Sequence, residues 1–372
     1  MQNFWQQIPK PIVGLAPMDG ITDAAYRYMV ASKGEPDVII TEFISVDGLE
    51  HAADKLFLDL LYHENERPIL AQVFGNQPEL FYLVAQIVCE LGFNGLDINM
   101  GCPAKSVVHR GAGAGLINSP DLAKEIIVAA KKGIADWVKS GPTAFSEKIL
   151  NKVKDTQEKL RLIGVKLSVK RSMIPVSVKT RIGYDSIVIE DWINELLLAL
   201  PANITVHGRT LKQMYTGVSN WEAIKLGAKV VADYNQGKPE TEKITFLGNG
   251  DVQNFSDISA KVAETGVDGV LVGRETFGNP WFFKNLPQFK ADPEQTVNYQ
   301  ADISEKLQAL LEHTRKFIEI KGEQNLLQMR KHWVHYLKGF VNAAQLRRQL
   351  VQASSLAEVE NLLSIHFNTL DK

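Results

Sequence analysis

The 372-residue sequence predicts an α/β protein, a (β/α)8 TIM barrel followed by a small C-terminal helical domain. Three observations carry that prediction. Eight short apolar, β-branched runs recur through the first three quarters of the chain, and segments with helix-end signals separate them. Beyond Asp292-Pro293 the runs stop and only helical patterns continue. The runs are Ile12–Ala16, Val38–Thr41, Ile69–Val73, Gly95–Asn99, Val176–Lys179, Ile204–Val206, Ile244–Leu247 and Gly269–Val272. Their apolarity is continuous rather than alternating, as in parallel strands buried on both faces. Eight such strands over about 280 residues suit a barrel whose usual size is roughly 250 residues. A doubly wound open sheet would normally use fewer strands and place a Gly-rich turn after the first. No such turn follows Ala16.

The helices between the strands have readable ends. Asn76 to Gly92, with Pro78 near its start, is one; Ser119 caps another, with Pro120 at its first position and Gly133 closing it. Asn254 to Gly266 repeats the pattern. Between Gly133 and Pro175 lie about forty residues where a short connection is expected. Within this insertion, at about 135–173, Ser146–Leu162 reads as a charged amphipathic helix. A helix-to-strand connection belongs to the bottom face of a barrel, so a solvated decorative helix is expected there, with an extra RNA contact as the alternative. After Pro293, helices are expected at Ile303–Ile320, Leu326–Phe340 and Ala343–Gln352. The units expected are a barrel domain at 1–290 and a helical domain at 300–372.

Composition narrows the class. A 45% hydrophobic and 23% charged chain is an ordinary globular protein, and a net charge of −2 gives no overall nucleic-acid signature. Two cysteines make no disulfide framework and fit a reducing cytoplasm. The segment from Met1 to Pro9 lacks the basic and apolar regions of a signal peptide, and no apolar stretch reaches the ~20 residues of a membrane helix. A soluble cytoplasmic monomer without membrane or metal is expected.

The most informative stretch is Gly95-Leu-Asp-Ile-Asn-Met-Gly-Cys-Pro103, an apolar run that ends at Asn99 and enters a Gly-Cys-Pro turn. Gly101 and Pro103 stiffen that turn, which places Cys102 at the end of a strand. Cys89, inside the apolar pattern Phe81–Leu91, reads as helix packing instead. Barrel active sites lie where strands end. The residues at or just past those ends are Pro17 and Met18, Glu42, Gln72, Asn99, Lys179, His207, Asn249-Gly250-Asp251 and Gly273-Arg274. Polar residues at one strand end can simply face water; their recurrence around one rim points to a site. Strands seven and eight commonly hold phosphate, a task that suits the last two groups. One local basic patch also stands out. No acidic residue lies between Glu323 and Glu358, whereas Arg330, Lys331, Lys338, Arg347 and Arg348 do, among His332, Trp333, His335 and Tyr336. That patch suits RNA phosphates; a helical bundle with a solvated basic face is the plainer reading.

With these residues assembled, the chain resembles the tRNA-dihydrouridine synthases, a family of FMN-dependent barrel enzymes. The matching pieces are Ala16–Asp23, Gln72–Gly75, Asp97–Pro103, Val178–Arg181, Thr205–Thr210, Gly248–Asp251 and Gly273–Trp281, with Met329–His332 and Tyr336–Gly339 beyond. The resemblance implies that Pro17, Met18, Gln72, Lys179 and His207 hold the isoalloxazine and ribityl parts of FMN, and Asp19 joins the cofactor-binding set. It implies that Asn249, Gly250, Asp251, Gly273 and Arg274 bind the FMN phosphate. It makes Cys102 the catalytic acid and places Asn99 and Arg181 against the target uracil. With tRNA as partner and NADPH or NADH as reductant, the basic patch is favoured as its RNA surface, and the insertion is where the chain departs from the family. A dihydroorotate- or dihydropyrimidine-type FMN dehydrogenase, or a catalytically silent RNA-binding barrel, are the alternatives.

Overall fold

A computed structural model describes residues 3–168 and 170–370. Residues 1 and 2 of the N-terminal segment, residue 169 of the insertion and residues 371 and 372 of the helical unit lie outside the described residues. Eight parallel strands close into a barrel in chain order: β1 Ile12–Leu15, β2 Ile39–Ser45, β3 Ile69–Phe74, β4 Gly95–Met100, β5 Val176–Arg181, β6 Asn203–His207, β7 Thr245–Asn249 and β8 Gly269–Val272. β8 pairs back onto β1, from Ile12 opposite Gly269 to Leu15 opposite Val272. All eight expected strands form. β2 runs past Thr41 to Ser45 because a register shift between Ile40 and Phe43 keeps it paired with β3.

The continuous apolarity has a direct cause. Ile12 and Ala16 join Ile40, Leu70, Leu247 and Leu271 in one cluster, while the alternate residues Val13 and Leu15 join the layer beneath the helices. Trp5 plugs the N-terminal end of the barrel, its indole donating to Ser177 Oγ at 2.9 Å. Side chains toward the opposite end turn polar, and there the site forms.

The helices mostly begin where their signals lie. Asn254 Oδ1 caps the Phe255–Thr265 helix by accepting from Asp257 N, and left-handed Gly266 (φ 72°) ends it. The Pro78–Glu90 helix starts as expected, but Gln77 is its N-cap and the Asn76 amide instead donates to the carbonyl of Arg110 at 2.6 Å. Gly133 does not close its helix. That helix runs from Pro120 to Ser140 and ends at Gly141 (φ 81°), with no capping bond from the Ser119 side chain. Gly133 instead lets two helices approach closely: a Cβ there would stand 2.3 Å from the carbonyl oxygen of Tyr82.

The insertion forms a helix at Glu147–Leu162, capped by Ser146. It is not merely a solvated decoration. Ile149, Val153, Thr156 and Leu160 are buried, Lys152 pairs with Asp54, and Gln157 Nε2 donates to the carbonyl of Glu90 at 2.7 Å. The apolar stripe thus seals a flank of the barrel, against the Asp54–Asp59 and Pro78–Glu90 helices.

The C-terminal region is helical at Ile303–Lys321, Arg330–Tyr336, Ala343–Leu350 and Leu356–Leu370. The expected helix at Leu326–Phe340 is instead a 3-10 segment, Glu323–Met329, followed by the short helix ending at Tyr336. The Leu356–Leu370 helix adds to the three that the sequence predicts. Its Val359 and Leu363 pack with Leu307, Phe317, Trp333, Tyr336 and Leu350, together with Ala25 and Met29 of the Ala24–Lys33 barrel helix. The aromatic members of the basic patch therefore face inward. Trp333 donates to Thr314 Oγ1 at 2.9 Å, and Tyr336 and His332 are buried beside it. Their spacing is that of a packed helix face.

Candidate active site

A cavity of about 400 Å³ opens at the C-terminal end of the barrel. Pro17, Met18, Asp19, Asn99, Cys102, Lys179, Arg181, His207, Asn249, Gly250, Asp251, Gly273 and Arg274 all line it, coming from six strand ends. Gln72 does not. It is fully buried beneath, where its Nε2 donates to Asp97 Oδ2 at 2.7 Å and its Oε1 accepts from Asn99 Nδ2 at 2.9 Å. Asn99 Oδ1 then accepts from the backbone N–H groups of Gly101 (3.0 Å) and Cys102 (2.8 Å). A chain of hydrogen bonds from β3 through β4 thus sets the Cys102 turn.

Cys102 packs against Val107, Ala112, Phe43 and Phe74 and is 8% exposed. Burial pushes its thiol up, with Asp19 adding to the effect, while the Ala104 N–H, Arg181 and Lys179 oppose it. The group stays a thiol at neutral pH. Lys179 is moved the other way, down to about 8, by burial and by Arg181, against Asp97 and Cys102. Its Nζ has no hydrogen-bond partner among the described residues. Beneath it, burial lifts Asp97 to about 7, against the Gln72 hydrogen bond and Lys179, and its Oδ1 is unsatisfied.

Arg181 donates from Nε to the carbonyl of Gly101 at 2.6 Å and from Nη1 to those of Thr210 (3.0 Å) and Met214 (2.9 Å). It ties the Cys102 turn to the loop after β6, and its Nη2 has no hydrogen-bond partner among the described residues. Tyr215 of that loop is 66% exposed at the mouth, 5.9 Å from the Arg181 guanidinium.

The turns after β7 and β8 form a cradle. The backbone N–H groups of Gly250, Asp251, Arg274 and Glu275 have no protein acceptor among the described residues. Gly250 adopts φ 122°, and a Cβ there would meet Ser219 Oγ at 2.1 Å and His207 Cδ2 at 2.9 Å. Asp251 braces the cradle: its Oδ2 accepts from Arg209 Nη2 and from Ser219 N, both at 2.7 Å, and its Oδ1 pairs with Arg274. Although burial alone would raise it, the Ser219 N–H and the two guanidiniums hold the Asp251 carboxyl below its usual range.

Arg209 is the residue that sequence reasoning missed. Almost fully buried, it donates to Ser219 Oγ (2.9 Å), the carbonyls of Gly217 (2.6 Å) and Thr216 (3.3 Å), Asp251 and His207 Nε2 (3.1 Å). Because a guanidinium only donates, His207 Nε2 accepts and the ring proton lies on Nδ1. Burial, reinforced by Lys179, Arg181, Arg209 and Arg274, pushes the His207 pKa far below its usual value, so the ring is neutral. The sequence signals for Arg209 are its place two residues after His207 and inside the matching piece Thr205–Thr210, in which the resemblance gives a role to His207 alone.

The basic patch divides. Lys338 and Arg348 are exposed, whereas Arg347 donates to the carbonyl of Leu337 and Lys331 to that of Gly20. Arg330 is half-buried, with its Nε unsatisfied.

Fold and site together define a (β/α)8-barrel enzyme with its chemistry at the C-terminal rim. The family model for dihydrouridine synthase matches residues 14–141 and 153–370, and the gap between the two falls inside the insertion. The chain belongs to the dihydrouridine synthase family, which makes it an oxidoreductase. A Bacillus subtilis (strain 168) protein named probable tRNA-dihydrouridine synthase 2 is 31% identical over 373 residues, covering 97% of this chain and 96% of the relative. Proteins named probable tRNA-dihydrouridine synthase are similar in Staphylococcus aureus (strain MRSA252), 31% identical over 366 residues, and in Staphylococcus epidermidis, 30% over 368. Each of these alignments covers 97% of this chain and 95% of the relative. No helix among the described residues is long and apolar enough to cross a membrane.

Proposed function

We propose that this protein reduces the 5,6 double bond of uridines in tRNA to dihydrouridine, with FMN as cofactor and NADPH or NADH as reductant, in the cytoplasm. The observation that carries the reading is the meeting, in one cavity, of a protonated thiol on a braced turn and a cradle of free N–H groups. The donor set fits FMN. Four unpaired backbone N–H groups and the Arg274 guanidinium suit a phosphate dianion, and glycine at position 250 lets the turn lie against Ser219 and His207, where any Cβ would collide. Pro17, Met18, Lys179, His207 and Asn249 line the space for the ring and ribityl chain, and Asp19 stands at the rim.

When bound and reduced, FMN supplies a hydride, which no side chain can. Reduction of the uracil 5,6 bond also needs a proton at C5, and Cys102 holds it on Sγ. The cationic Lys179 and the free Nη2 of Arg181 stabilise negative charge that develops on the uracil carbonyls. Asn99, held by Gln72, keeps the Cys102 turn in place beside the base. The target base must leave the RNA stack to enter, which favours a loosely held site such as the D-loop, and exposed Tyr215 offers it a stacking face. The solvent-facing Lys338 and Arg348 suit RNA phosphates, and a small-pyrimidine dehydrogenase has no use for them. Residues 1–290 act as the catalytic domain and 300–372 as the tRNA-binding domain in this reading.

Nucleoside analysis of tRNA from cells lacking this protein tests it. Loss of dihydrouridine at one or more positions, restored by the wild-type gene, is the expected result. An unchanged dihydrouridine content, together with purified protein that retains no flavin, would overturn it.

A further inference from the structure

The helical region reaches two of the loops that line the cavity, those after β1 and β8. Lys331, on the Arg330–Tyr336 helix, donates from Nζ to the carbonyl of Gly20, in the loop whose Pro17, Met18 and Asp19 line the cavity. An ammonium has three donors, so Lys331 can hold this carbonyl and a phosphate oxygen at once. The same loop is fixed from behind. Thr22 Oγ1 accepts from Met18 N at 2.9 Å, Arg27 Nη1 donates to the carbonyl of Thr22 at 2.8 Å, and Lys321 pairs with the helix-capping Asp23 at 3.2 Å.

A second path runs to the turn after β8. Thr276 Oγ1 gives its hydrogen to the carbonyl of Gly273 at 2.7 Å, so the Tyr26 hydroxyl, 2.7 Å away, must donate to Thr276. The Tyr26 ring is packed 5.4 Å from His332 and 5.8 Å from His313 of the helical region. Gly278, at φ 65°, lies so close to the Arg330–Tyr336 helix that a Cβ would stand 2.3 Å from the His335 carbonyl. Cavity-lining Phe277 meets the His335 ring at 5.0 Å. One short helix thus holds both Gly20, in the loop after β1, and the Gly273–Gly278 turn after the neighbouring β8.

We infer that Lys331 and Tyr26 are positioning residues that couple tRNA docked on the helical region to the two cofactor loops, so that tRNA and FMN bind with positive cooperativity. The inference rests on the tRNA and FMN reading above. A phosphate on Lys331 orders the ammonium and the Gly20 loop it holds, and FMN orders the same loop from inside the cavity. Whichever ligand binds first leaves less ordering for the second.

The test is tRNA affinity, measured for FMN-free and FMN-loaded protein. In the wild type FMN tightens tRNA binding by roughly fivefold or more, and tRNA tightens FMN binding by the same factor, as linkage requires. In Lys331→Met and Tyr26→Phe the factor falls toward one, while Lys331→Arg, which keeps a charged donor, retains most of it. Tyr26→Phe keeps the ring and its packing, so loss of the factor at an unchanged melting temperature separates positioning from unfolding. Equal tRNA affinity with and without FMN in the wild type overturns the inference, as does a factor unchanged in Lys331→Met and Tyr26→Phe. If the wild type forms dihydrouridine but shows no coupling, only this inference fails; if it forms none, the functional reading fails with it.

Discussion

Cys102 and Cys89 are both buried, yet only one can act. Cys89 sits in the Pro78–Glu90 helix within the main core, where burial raises its thiol and nothing reacting can approach. Cys102 stands in the cavity wall, protonated and held by Asn99 through two N–H groups. Cys102→Ala is therefore expected to keep flavin, since the thiol is no part of the phosphate cradle. It should lower single-turnover tRNA reduction by a factor of about 10²–10⁴, the usual worth of a positioned acid. Rapid mixing of reduced protein with tRNA reads this directly, and a near wild-type rate would remove Cys102 from the chemistry. The neighbouring Lys179 sets a pH limit. Its ammonium is present below about 8 and is lost above, whereas the raised Cys102 thiol stays protonated through neutral pH. If the cation stabilises the developing charge, kcat/KM for tRNA falls as pH rises through about 8. In Lys179→Arg, whose group stays charged, that limb should move up by about one unit or more. A limb that stays in place belongs to another group.

The strands were legible because their two faces are both buried: Ile12 serves the interior and Val13 the helix layer, so apolarity runs unbroken. Rim residues were legible for the same reason, as the polar residues that interrupt such runs. What escaped reading depends on neighbours distant in sequence. Gly133 resembles a helix end but answers to the carbonyl of Tyr82, and Trp333 resembles part of an RNA surface but answers to Thr314. Arg209 draws its partners from Thr216, Gly217, Ser219 and Asp251, an assembly no local pattern records. It joins the loop after β6 to the turn after β7, and its removal leaves the Asp251 carboxylate short of a partner. Arg209→Met should therefore weaken FMN binding at least about tenfold, or about 1.4 kcal/mol, while the barrel still folds. Fluorescence titration of the apo-protein with FMN measures it. An unchanged Kd would mean that the cradle is braced by Ser219 and Arg274 alone.

At the scale of the whole molecule, charge is distributed where composition hides it. A net charge of −2 coexists with a stretch free of acids from Gln324 to Ala357, in the helical region that follows the barrel. The structure sorts the cations of that stretch by employment. Arg347 serves the carbonyl of Leu337, where a carboxylate would face a carbonyl and disturb the short helices around it. Arg348 is exposed on the Ala343–Leu350 helix, and Lys338 is exposed after Tyr336, its Nζ 3.2 Å from His335 Nδ1. These two are the clean probes of an RNA surface. A protein that neutralises fewer phosphates releases fewer counterions on binding, so Lys338→Glu/Arg348→Glu should weaken tRNA binding at moderate salt. It should also flatten the slope of log affinity against log salt by about 1.5–2. FMN content and NADPH-driven flavin reduction should remain normal, because neither residue touches the cavity or its loops. An unchanged salt slope would place the RNA elsewhere on the rim; lost flavin would mean that the reversed charges disturb the packing that supports Gly20 and Gly278.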